Sequence, residues 1–137
     1  MVDSDIYDIL RSVKTIALVG ASNKEDRPSY KVMKFLLEQG YDVIPVNPGM
    51  SGQTLLGQQC YASLKDIPVA VDMVDVFRQS DVALEIAQEA IEINAKVLWL
   101  QIGVINEDAK DLAEDAGLRV VMDRCPKKEI EAHGLPW

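Results

Sequence analysis

At 137 residues, with 48% apolar and 26% charged side chains, the chain has the size and composition of one globular domain with its own core. Its net charge of −8 argues against nucleic acid and anionic membrane as partners, since both are met by basic faces. With no apolar run of membrane-spanning length and no basic start followed by an apolar stretch, a cytoplasmic location is expected.

Asp3 and Ser4 are positioned to cap a short helix whose Ile6, Ile9, Leu10 and Val13 form one apolar stripe. Ile16 to Val19 is a short, β-branched apolar run that ends at Gly20, as a buried strand does. Gly20, Ala21 and Ser22 then make a turn of small residues. Pro28 and Ser29 open a helix carrying Val32, Met33, Phe35, Leu36 and Leu37, closed by Gly40. A strand, a small-residue turn and a helix N-terminus in that order can receive a phosphate, and Lys24, Arg27 and Lys31 surround the turn. The same turn is also what tight β-to-α packing needs, and on this stretch alone the two readings stand level.

Asp42 to Val46 reads as the second strand, with Pro45 a mark against a central position because it lacks a ladder donor. Asn47-Pro48-Gly49 is a turn, and residues 47–68 follow as an irregular connection with one helical turn at Ser63 to Asp66. Val71 to Phe77 is the third strand. Ser80 or Asp81 should cap the next helix, which carries Val82, Leu84, Ile86, Ala87, Ala90, Ile91 and Ile93, with Glu85, Gln88, Glu89 and Glu92 as its solvated face. Lys96 to Leu100 is the fourth strand. Asn106 caps a helix closed by Gly117, Leu118 to Met122 is the fifth strand, and a short helix and tail complete the chain.

This alternation means an α/β fold: a single Rossmann-like domain with a five-stranded parallel sheet and helices on both faces. Right-handed crossovers leave two common strand orders, 3-2-1-4-5 and 2-1-3-4-5, and the first is the one expected here. In either order a ligand crevice forms at the carboxyl ends of the strands. The residues placed there are Gly20 to Ser22, Asn47-Pro48, Asp75 to Arg78, Gln101 to Gly103 and Asp123 to Pro126. A nicotinamide dinucleotide fits poorly, because the loop has one glycine of the G-x-G-x-x-G set and Asn47 stands where a ribose-binding acid belongs. A Walker A loop is absent.

These motifs together resemble the coenzyme A (CoA)-binding domain family, in its stand-alone bacterial branch, related to the N-terminal domain of the succinyl-CoA ligase alpha subunit. The resemblance is carried by Val19-Gly20-Ala21-Ser22, by Arg27 with Ser29-Tyr30, by Ile44 to Pro48, by Val74 to Arg78, by Trp99 to Gly103 and by Asp123 to Pro126. It spans roughly residues 8 to 130. It implies CoA, or an acyl-CoA, as the ligand. Gly20, Ala21 and Ser22 would meet the pyrophosphate, and Lys24 and Arg27 would meet phosphate charge, with Ser29 and Tyr30 at the helix start. Val46, Asn47 and Pro48 would border the nucleotide. Val76, Phe77 and Arg78 would line the adenosine or pantetheine side, and Gln101, Ile102 and Gly103 would close the far wall. One departure stands out: relatives often carry a lysine just after the turn at Asn47-Pro48, whereas Gly49-Met50 follows here.

Asp75 could be a general base, but with no partner acid, histidine or nucleophile beside it in sequence it is expected to accept loop N–H bonds. Cys60 and Cys125 follow no disulfide or metal spacing and are read as free thiols, with Cys125 a packed residue. His133 is read as a solvated side chain, and no metal site is expected. The chain is thus expected to be a binding module for CoA or acyl-CoA without catalytic residues. The alternatives are an NAD(P)-type redox sensor or enzyme, and a regulatory subunit that meets an unidentified protein.

Overall fold

The structure is a computed structural model that describes residues 3–134, the Asp3 side chain excepted. The capping role expected of Asp3 and the tail at 135–137 lie outside the described residues. Helix α1 (Asp3–Ser12) leads into strand β1 (Thr15–Val19), helix α2 (Pro28–Glu38) and strand β2 (Asp42–Val46). Strands β3 (Thr54–Leu55) and β4 (Gln58–Gln59) form a small antiparallel hairpin. Strand β5 (Met73–Val76), helix α3 (Ala83–Glu92), strand β6 (Val97–Leu100), helix α4 (Glu107–Asp115), strand β7 (Arg119–Val121) and helix α5 (Pro126–His133) follow.

The main sheet has five strands in the order β2-β1-β5-β6-β7, and every adjacent pair is parallel. Both faces are covered. Helices α1, α2 and α5 pack on one face through Ile9, Leu10, Met33, Leu36 and Ile130, against Leu18, Met73 and Trp99. Helices α3 and α4 pack on the other through Ile86, Ala87, Ala90, Ala109 and Ala113, against Ala17, Val74 and Leu98. The strands therefore read as apolar runs without alternation, as a doubly covered parallel sheet requires. Each fully buried leucine or isoleucine contributes about 1.5–3 kcal/mol relative to exposure.

The α/β class and the five-stranded parallel sheet are as expected, but the strand order is not 3-2-1-4-5. In order of appearance it is 2-1-3-4-5, because β1 pairs with β2 on one side and with the third strand, β5, on the other. The cause is the path of residues 47–72. Helix α2 leaves β1 over one face, whereas Leu64 in this connection is buried in the core layer of the opposite face. A right-handed crossover on that opposite face carries β5 past β1 instead of beyond β2. The edge position suits Pro45, whose carbonyl accepts from Tyr61 N at 3.1 Å, on the side away from β1. Its imide nitrogen points the same way, so no ladder bond with β1 is lost.

Two local differences bear on the site. The hairpin β3–β4 falls in a stretch expected to be irregular, and Leu56 at φ 50° with Gly57 at φ 81° makes its two-residue turn. Ser80 does not cap α3: the Ser80 hydroxyl donates to Gly103 O (3.2 Å) and accepts from Ile105 N (2.9 Å), tying the start of α3 to the loop after β6. Asn106 does cap α4, accepting from Ala109 N at 2.9 Å, and Ser63 flanks the expected single turn at Leu64–Asp66.

Candidate functional site

The strands end level. Val19 is in register with Val46 and Val76, and Val76 with Leu100, so Gly20, Asn47, Phe77 and Gln101 emerge side by side. The order reverses between β1 and β5, where the following connections leave to opposite faces and open a crevice.

Gly20 is needed at this reversal for close packing. Its φ is +92°, and a Cβ there would lie 2.3 Å from the carbonyl oxygen of Phe77. Gly20 N and Ala21 N both donate to Val46 O, at 3.0 and 3.3 Å. Two of the loop donors expected for a phosphate are therefore engaged inside the fold. Asn47 braces the same corner, its Nδ2 donating to Ala21 O (2.8 Å) and its Oδ1 accepting from Gly49 N (2.9 Å). Behind the loop, α2 begins at Arg27 with no side-chain cap and with Pro28 in its first turn. The amides at that end carry the positive pole of the helix dipole.

Two clefts flank Phe77, which lines both. The first, of about 590 Å³, is bordered by Gly20, Val46, Asn47, Pro48 and Arg78, with Ser63 from the long connection and Glu85 and Glu89 from α3. The second, of about 570 Å³, has Val32, Ile102, Val104 and Cys125 as apolar wall, Gln101 from β6's exit, and Lys31, Lys127 and Lys128 at its border. A shallower hollow over Phe77, Arg78, Ile102 and Gly103 lies beside them.

Of the residues expected at the site, Gly20, Val46, Asn47, Pro48, Phe77, Arg78, Gln101, Ile102 and Gly103 line these hollows. Ala21 and Val76 are buried in the core, Ser29 is buried, and Tyr30 packs against the core layer of α2. Ser22 is half-buried, and Lys24 and Arg27 are exposed; these three line none of the hollows described. Glu85 and Glu89, read from periodicity as part of a solvated helix face, instead border the first cleft. The α5 lysines and Cys125 join the second, where the signal was the turn at Asp123 to Pro126 that brings α5 to the strand ends.

Asp75 is fully buried in β5, and burial pushes its carboxyl well above the ordinary carboxylate range. Its partner is the side chain of Gln101, whose amide lies 2.7 Å from Oδ1 and 3.2 Å from Oδ2. The loop N–H bonds expected of Asp75 go elsewhere: Gly103 N donates to Asp123 Oδ1 at 2.7 Å. Asp75 thus holds a wall residue of the second cleft in place. Among the described residues no group of histidine, cysteine and carboxylate side chains is arranged to hold a metal ion, and no helix is long and apolar enough to cross a membrane. The arrangement is suited to holding an elongated ligand with one polar and one apolar end across Phe77.

Known proteins share this fold and sequence. A family profile described as a CoA binding domain matches residues 14–131. An uncharacterized protein of Bacillus subtilis, YneT, is 40% identical over 124 residues, covering 90% of each chain. A solved structure of a hypothetical protein from Pyrococcus horikoshii is 44% identical with a TM-score of 0.91, covering 96% of this chain and 92% of that one. The ADP-forming acetate–CoA ligase II of Archaeoglobus fulgidus is 27% identical over 123 residues, which span 88% of this chain and 18% of the ligase. The match over 14–131 is nearly the whole described chain, and the chain belongs to the CoA-binding domain family.

Proposed function

We propose that the protein is a binding module that holds CoA, or an acyl-CoA, across the strand ends. The observation that carries this reading is the pair of clefts on either side of Phe77, one polar and one largely apolar, at the switch point of the sheet. The nucleotide end belongs beside Asn47 and Pro48, at the end of the strand that borders the nucleotide in dinucleotide-binding folds. The pyrophosphate belongs near the uncapped start of α2, with Arg27 and Lys24 adding positive charge from the exposed loop. The pantetheine arm crosses Phe77 into the second cleft, whose Val32, Ile102, Val104 and Cys125 suit a thioester-bearing chain. The family and the ligase relatives favour CoA over a nicotinamide dinucleotide, as does the loop with one glycine of three.

The test is calorimetric titration with CoA and acetyl-CoA, with NAD as comparator. Micromolar binding of CoA, weakened about tenfold in Arg78→Ala, is the expected result. Absence of CoA binding at millimolar concentration would overturn the proposal, and a regulatory role through protein contacts would take its place.

A further inference from the structure

The polar side chains of the first cleft offer mainly acceptors, Arg78 excepted. The amide of Asn47 is engaged on both sides, with Ala21 O and Gly49 N. The Ser63 hydroxyl donates to Asp66 Oδ2 at 2.9 Å. Among the described lining residues Arg78 is the one cation, in a cleft also lined by Glu85 and Glu89, one helical turn apart on α3. These two sense each other: the Glu89 carboxyl is pushed up first by burial, then by the charges of Glu92 and Glu85, with Lys65 acting in the opposite direction. A further anion placed against these two carboxylates, away from Arg78, would add to this repulsion. Ribose hydroxyls and an adenine amino group, by contrast, can donate to these two carboxylates.

We infer that the first cleft takes an adenine nucleoside whose two ribose hydroxyls are both free, so that this chain does not require the 3′-phosphate of CoA. The inference rests on the nucleotide placement proposed above. Glu85 and Glu89 are then specificity-determining residues: they accept from the ribose and disfavour its phosphate ester. Arg78 remains for the 5′-pyrophosphate, which reaches the cleft from the loop side.

The experiment is a set of titrations on the full chain with four probes: CoA, dephospho-CoA, ADP and adenosine 3′,5′-bisphosphate. Dephospho-CoA is expected to bind at least as tightly as CoA, and ADP at least as tightly as the bisphosphate. In the double variant Glu85→Gln/Glu89→Gln the preference should move toward the 3′-phosphorylated ligands by about fivefold or more, and less so at high salt. CoA binding the parent about tenfold tighter than dephospho-CoA would overturn the inference while leaving the CoA reading intact. So would an unchanged preference in the double variant. Binding of ADP with neither CoA nor dephospho-CoA would overturn the CoA reading and keep the assignment of the cleft. No binding of any probe would overturn both.

Discussion

Replacing Asp75 by asparagine separates the electrostatic cost of this residue from its shape. The side chain is fully buried, and burial pushes its carboxyl well above the ordinary range. In the unfolded chain the same carboxyl titrates at about 3.9. Below that pH it is neutral in both states and costs nothing. Above it, the unfolded chain releases a proton that the folded chain still holds, so the native state binds more protons and stability falls as pH rises. The fall continues until the pH passes the folded-state value, with a limiting slope of about 1.4 kcal/mol per pH unit for one proton. Asparagine keeps the shape and an amide that can pair with the Gln101 amide, and has no proton to release. The expected outcome is that Asp75→Asn gains on the parent as pH rises from about 5 toward 8, at up to that slope. Glu89, whose carboxyl burial also raises, is common to both proteins and cancels in the difference. Urea unfolding of both proteins at matched pH measures it. A parent-minus-variant difference that stays constant across the range would refute the reasoning, because it would mean that the buried carboxyl binds protons alike in both states.

Two further outcomes follow from the geometry. Gly20→Ala places a Cβ 2.3 Å from the Phe77 carbonyl at φ +92°, and is expected to cost about 2–4 kcal/mol and to displace Phe77; thermal unfolding reads the cost, and a loss under about 1 kcal/mol would show that the strand ends have room to part. Tyr41, whose hydroxyl donates to Leu10 O, has its phenol pushed up to about 12 by burial. In an ultraviolet titration it should ionise later than a free phenol, and Tyr41→Phe should remove that late step; persistence of the step in the variant would contradict the assignment.

The alternation of strands and helices was legible because each strand is an apolar run bounded by turn residues, and each helix keeps a 3.6-residue stripe. The level strand ends followed from that alternation, which is why Gly20, Asn47, Phe77 and Gln101 were expected near one another and are found so. The strand order departs from 3-2-1-4-5 although Pro45 marks an edge. A single missing donor weighs little against the commonness of the other order, and the face taken by residues 47–72 is decided by the burial of Leu64, which no periodicity announces. The hairpin was hidden because Leu56 occupies a left-handed conformation that β-turn signals reserve for Asn, Asp or Gly. Glu85 and Glu89 were hidden for a different reason. A helix face turned to a cleft has the same periodicity as one turned to bulk water, and only tertiary placement tells them apart.

The manner in which the sheet ends also bears on how the protein behaves among its own copies. A parallel sheet with bare edges is a template for further strands and hence for aggregation. At one margin, Pro45 offers no donor and its carbonyl is taken by Tyr61 N, while Tyr61 O is taken by Asn47 N, so a segment of the same chain occupies the place an intruding strand would need. At the other, β7 is three residues long and begins with the exposed Arg119, too short and too charged to guide a register. The connection that sets the strand order and borders the first cleft thus also keeps the sheet five strands wide. Opening the contact at Tyr61 would therefore expose a polymerisation edge and loosen the connection that borders the first cleft.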